Sequence, residues 1–151
     1  MSAMQYIRTM LRNTAGSMAI ETALVAPVLM VMSVGAFEAS TMVARQTELQ
    51  SAAAEVAAIV RASPPETSAQ RTTIRDIVAT STGVQPEQVA VSEVYRCGTA
   101  ESYVESSALC GSDAFSTYIQ VTITDEYHPL WTQFGIGGLI AYTVQRTVQI
   151  G

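Results

Sequence analysis

One carboxylate stands inside the longest apolar run of this chain. From Ser17 to Phe37 the residues read SMAIETALVAPVLMVMSVGAF, and Glu21 is the single charge among them. The run is 21 residues long, close to the ~20 that cross a bilayer core. An unpaired carboxylate in that setting costs a few kcal/mol, so Glu21 implies a partner by default. Gly16 closes the segment before the run and stands five residues ahead of Glu21.

Other residue types with chemical potential lie further on. Asp125-Glu126-Tyr127-His128 sets the single His beside two acids, the groups of proton transfer. No recognised motif places a Ser or Cys nucleophile near it, so no catalytic residue is assigned. Tyr127, Leu130, Trp131 and Phe134 are read as packing under a sheet, with a subunit contact as the alternative. Gly135-Ile136-Gly137-Gly138 precedes a strand pattern and lacks a Lys, so it is a connector and not a phosphate cradle. Arg71 and Arg75, four apart, are read as a solvated helix face. Arg146 falls on the apolar register of the last strand, where it must reach the sheet edge or meet an acid.

Charge narrows the function classes. The 151 residues carry eight Lys plus Arg against 13 Asp plus Glu, a net charge of −5. All the bases are Arg. A nucleic-acid partner needs a basic face, and this surplus is acidic. Only 14% of residues are charged while 48% are hydrophobic, against about 25% charged in a typical soluble domain. One His and two Cys leave little for a metal site, which would need His128, Cys97, Cys110 and a fourth ligand. No metal and no cofactor are expected.

The flanks of the run set a direction. Arg8 and Arg12 precede it with no acid, and Glu38, Arg45, Glu48 and Glu55 follow. This favours a cytoplasmic N-terminus and an external C-terminus. A cleaved signal peptide would have a shorter apolar core and a better small-x-small site than Val34-Gly35-Ala36. A plain signal anchor remains the simple alternative. Outside the cytoplasm Cys97 and Cys110 can form one disulfide across the loop GTAESYVESSAL; an intermolecular bond is the other possibility.

The elements that position these residues follow from periodicity. After Phe37 a helix should continue through TMVARQTELQSAAAEVAAIVRA, with Val43, Leu49, Ala53, Val56, Ile59 and Val60 as its apolar stripe. Ser63-Pro64-Pro65 ends it. Residues 67–81 predict a second helix, capped by Thr67 or Ser68 and stopped by Gly83, with Ile74, Ile77 and Val78 buried and Arg71, Arg75 and Asp76 wet. From Gln88 the period becomes two. Val89, Val91 and Tyr95, then Ile119, Val121 and Ile123, then Ile140, Tyr142, Val144, Val148 and Ile150 mark three strands. Pro27 in the apolar helix removes one hydrogen bond and should bend it.

The stretch Gly16-Ser17-Met18-Ala19-Ile20-Glu21 resembles the processing site of type IV prepilins. The longer run Gly16 to Pro27 (GSMAIETALVAP), with Arg45-Gln46 after the span, is similar to the TadE-like family of small pseudopilins in the tight-adherence (Flp, type IVb) pilus system. The Ala-Leu pair of that pattern is Ala23-Leu24; Thr22 stands where an aromatic residue is usual. The resemblance implies cleavage by a prepilin peptidase between Gly16 and Ser17, which would leave 13 acids and six bases. The freed Ser17 amine would lie about one helical turn from a neighbour's Glu21 and pair with it as helices stack. It also implies an α+β fold of pilin type: a long N-terminal helix, a short second helix and a sheet of about three antiparallel strands. The expected organisation is a leader at 1–16, a transmembrane helix at 17–38, a periplasmic helix extension at 39–62 and a small α+β domain at 63–151. The implied role is that of a minor pilin or pseudopilin, a structural subunit and not an enzyme. It supports pilus biogenesis, surface adhesion and biofilm formation. Its partners are the inner membrane, the prepilin peptidase, other pilins and the assembly platform. The rival reading is an unprocessed, single-pass anchored periplasmic binding module.

Overall fold

The computed structural model describes the backbone of residues 15–151 and the side chains from Met18 onward. The expected leader at 1–16 lies almost wholly outside the described residues. The elements are helix α1 (Ala15–Ala62), helix α2 (Ser68–Thr82) and strands β1 (Val89–Cys97), β2 (Phe115–Tyr127) and β3 (Ile140–Gln149). Short 3-10 turns fill Pro86–Gln88, Ser107–Cys110 and Leu130–Phe134. The strands form one antiparallel sheet in the order β1-β2-β3. This is the expected α+β class, with a long first helix, a short second one and three strands. The chain forms two compact units, one ending at Thr41 and one spanning Met42–Gly151.

The described residues of the first unit are helical and belong to a helix long and apolar enough to cross a membrane. Met18, Ile20, Leu24, Leu29, Met30, Val31 and Phe37 are all exposed, so no single face is apolar. A core helix of a soluble protein would hide these groups, but the most apolar stretch is wholly unburied. A helix apolar on every side needs an apolar surround. Three of its hydroxyls are satisfied without water. Thr22, Ser33 and Thr41 donate to the carbonyls of Met18, Leu29 and Phe37 at 2.9, 2.7 and 3.0 Å, the i−4 back-bond open to Ser and Thr in helices.

The second unit has a conventional core. Leu49, Ala53, Val56 and Val60 recur at helical spacing and pack against Ile119, Val121, Ile123, Val144 and Val148 of the sheet. Removing each large side chain from water contributes about 1.5–3 kcal/mol. The register puts Ile119 opposite Val148 and Ile123 opposite Val144, so one sheet face is apolar throughout. Arg146, opposite Val121, is the exception; it sits on this register yet remains exposed. Pro64 and Pro65 stop α1. Thr67 then starts α2 with a capping box: Gln70 N–H donates to Thr67 Oγ1 (3.3 Å) and Thr67 N–H donates to Gln70 Oε1 (2.9 Å). Gly83 closes α2 in the left-handed region at φ +71°, where glycine carries no Cβ penalty.

Four expectations need correction. Val43 and Ile59 are exposed, because the buried stripe is narrower than the apolar one. Ile77 is exposed as well, and Ala79 and Thr82 take the covered side of α2 with Val78. Leu130 and Phe134 are exposed and do not pack under the sheet; the Leu130–Phe134 turn carries them off the end of β2. Arg71 is not a solvated charge. Its Nη1 reaches Glu93 Oε2 and the Pro65 carbonyl, both at 3.4 Å, and Tyr95 Oη donates to Glu93 Oε1 at 2.7 Å. Glu93 interrupts the alternation of β1 because these partners hold it.

Arg45 ties three elements together. Its Nε donates to Asp125 Oδ2 of β2 at 2.6 Å. Its Nη1 donates to Glu48 Oε2 and to the Thr82 carbonyl at the end of α2, both at 2.9 Å. The Arg45 and Asp125 side chains are only 23% and 16% exposed, so the attraction is weakly screened. Beside them Tyr142 Oη donates to the Met42 carbonyl at 3.2 Å. Arg45→Ala leaves Asp125 and the Thr82 carbonyl short of a donor, and an expected loss of about 2–3 kcal/mol is measurable by denaturant unfolding of the membrane-free unit or of the whole chain in detergent. Arg45→Lys, which lacks the planar fork, should recover only part of it.

Burial raises the Tyr142 hydroxyl above its ordinary 10.0, and the Asp125 charge adds to this against the opposing pull of Arg45. The folded state thus favours the neutral phenol. That contribution is complete below pH 10 and is lost as the pH rises through the folded value. Thermal stability should therefore fall above pH 10, and Tyr142→Phe should flatten the fall while costing about 1 kcal/mol at neutral pH; melting curves across the alkaline range check both.

Candidate functional site

The features the sequence marks fall in two regions, each described within its own unit. Around Glu21, one face of α1 is lined by Met18, Glu21, Thr22, Val25, Ala26 and Leu29, which border a shallow groove. Their spacing alternates three and one, so they share a single helix face. Thr22 spends its hydroxyl on the Met18 carbonyl. The Glu21 carboxylate has no hydrogen bond or ion pair among the described residues and is exposed. Ser17 precedes it by four residues on a helical backbone, which places both on one side of the helix. Pro27 lies inside the same helix. It has no N–H for the carbonyl of Ala23, two residues beyond Glu21.

The arrangement supports association more than chemistry. A lone carboxylate on an apolar helix face attracts a cation of similar depth, and in lipid that attraction is weakly screened. Small Thr22 and Ala26 beside it permit close approach of a second backbone.

In the second unit the residues of the Asp125–His128 stretch are not assembled for proton transfer. Asp125 Oδ2 binds Arg45, and Asp125 Oδ1 accepts from the Glu126 N–H at 2.9 Å. His128 is exposed. Among the described residues no three His, Cys, Asp or Glu side chains converge as metal ligands would.

At the other end of the sheet Cys97 and Cys110 are joined by a disulfide, with Cα atoms 5.2 Å apart. The loop they close folds back along β1. Tyr95 and Val104 exchange both backbone hydrogen bonds at 2.8 Å. Tyr103 meets Tyr118 edge to face at 5.1 Å, and the Arg96 guanidinium lies 5.3 Å from the Tyr118 ring centre. These contacts cover part of the outer sheet face. Glu101 and Glu105 stay exposed on the loop. Sequence alone shows the cysteine pair and the acids; the aromatic layer beneath them escapes it, since Tyr103 and Tyr118 are distant in the chain.

Residues 16–58 match the family model described as TadE-like protein. The match begins at Gly16, covers the apolar helix and ends within the buried stripe of the same helix; the sheet lies beyond it. No curated protein and no solved structure matches the chain.

The disulfide closes a short loop at an edge strand. Replacing both Cys97 and Cys110 by Ser should lower stability by about 3 kcal/mol on the chain-entropy account, read as a lower denaturation midpoint of the double variant.

Proposed function

We propose that this chain is a minor pilin or pseudopilin of a tight-adherence (Flp, type IVb) pilus system, a structural subunit that supports pilus biogenesis, surface adhesion and biofilm formation. One observation carries the reading: a glycine, a serine and then Glu21, unpaired among the described residues, open an apolar helix whose most apolar stretch is unburied. The TadE-like match over residues 16–58 supports the pilus system.

On this reading a prepilin peptidase cuts between Gly16 and Ser17 at the cytoplasmic face of the inner membrane. The cut removes Arg8 and Arg12 and creates a cationic amine on Ser17. Before cleavage Glu21 has no such neighbour. Afterwards each subunit carries one amine and one carboxylate near the same depth, and a helix sliding alongside another can pair them. Pairing offsets the cost of holding both charges in lipid and fixes the axial offset between subunits. The domain at 63–151 then faces the periplasm.

The intact mass of protein purified from membranes, with and without a co-expressed prepilin peptidase, tests the proposal. A chain beginning at Ser17 only when the peptidase is present is the expected result. Retention of residues 1–16 beside a competent peptidase would favour the unprocessed anchored binding module. Glu21→Ala should insert in the membrane and be cut normally, yet fail to support pili counted by electron microscopy.

A further inference from the structure

The connection between β2 and β3 is unusually apolar for an exposed turn. Leu130 is 48% exposed, Phe134 80%, Ile136 64% and Leu139 54%. Residues 129–140 (PLWTQFGIGGLI) contain no Asp, Glu, Lys or Arg. Contiguous apolar exposure of this kind marks a contact surface. The loop is also built and not slack. The N–H groups of Thr132, Gly135 and Ile136 donate to the carbonyls of Pro129, Thr132 and Trp131 at 3.0, 3.1 and 3.2 Å, and Thr132 Oγ1 donates to Pro129 O at 2.7 Å. Trp131 packs against Gly137: a Cβ there would lie 3.2 Å from the indole Nε1, and the φ of +72° already favours glycine. Internal hydrogen bonds of this kind lower the cost of moving a backbone out of water.

Position in the fold selects the partner. The β2–β3 ladder ends at Tyr127↔Ile140. Two residues inward, Asp125 binds Arg45 and Tyr142 binds the Met42 carbonyl. The loop therefore sits at the end of the sheet where α1 enters the second unit. Met42 follows Phe37, the last residue of the apolar run, by five helical positions, roughly 8 Å at ~1.5 Å per residue. Chain connectivity thus tethers this end of the sheet within a short reach of the end of the apolar run.

We propose that loop 129–139 dips into the lipid headgroup boundary as a second membrane attachment, with Leu130, Phe134, Ile136 and Leu139 in the acyl region and Trp131 at headgroup level. The inference rests on reading 17–38 as a membrane span. Tryptophan is enriched at such interfaces, and surface-bound apolar faces enter by about 5–10 Å. With no base in the loop, the attachment is apolar. It should not respond to the fraction of anionic lipid.

Trp131 is the single tryptophan of the chain, so its emission reports on this loop alone. The full chain is reconstituted in phosphatidylcholine vesicles whose acyl chains carry bromine near the glycerol or near the chain end, and each sample is floated on a density gradient. The expected result is floating protein whose emission loses most of its intensity with shallow bromine, loses less with deep bromine, and is unchanged by added phosphatidylglycerol. Phe134→Ser with Ile136→Ser should still float and should lose most of the quenching. Floating protein with unquenched Trp131 overturns the proposal and leaves the span intact; the loop is then a protein contact or a free surface. Protein that fails to float overturns both the proposal and the span.

Discussion

One continuous helix has to serve two solvents. From Ala15 to Ala62 the backbone of α1 is helical, with Pro27 the one interior residue that cannot donate, so the helix itself is nearly indifferent to its surroundings. Side chains alone assign each part to its medium. Up to Phe37 they are apolar on every side apart from Glu21, and Thr22 and Ser33 fold their hydroxyls back on the ladder. From Leu49 to Val60 they are apolar on one stripe only. A break in the ladder between the two would leave carbonyls and N–H groups needing water at the membrane edge. The rest of the structure depends on that continuity, because the sheet is built on the second half of a helix whose first half suits lipid.

The two ends of the sheet are secured by different means. Near Met42, Arg45 gathers β2, the end of α2 and its own helix with a single guanidinium. Fixed charge geometry of this kind holds orientation as well as contact. At the far end a covalent bond does the work. There Cys97 pairs across the ladder from Phe115, beyond the reach of the α1 stripe, and the loop it closes supplies Tyr103 and Val104 as extra cover. A small domain with a thin core gains from both.

Local signals were legible in the sequence and long-range ones were not. The Thr67–Gln70 cap, the Gly83 stop, the double proline after Ser63 and the period-two strands each depend on a few neighbouring residues. Arg45 is different: its partner Asp125 lies 80 residues away, so the sequence shows it only as one charge following the apolar run. Arg71 misleads for the same reason. Val43, Ile59 and Ile77 look buried because periodicity gives the direction of a stripe but not its width. The aromatic loop after β2 reads as core because apolar content does not say which side of a sheet end a turn will take.

Arg146 has a consequence for growth by strand addition. β3 is an edge of the sheet, and an open edge invites a strand from another chain. A newcomer would extend the apolar face past Val144 and Val148, and it would have to close over the guanidinium between them. Sealing a cation without a counter-charge is costly, so the edge tolerates water better than a neighbouring strand. Two copies of this domain are thereby discouraged from joining edge to edge into one continuous sheet.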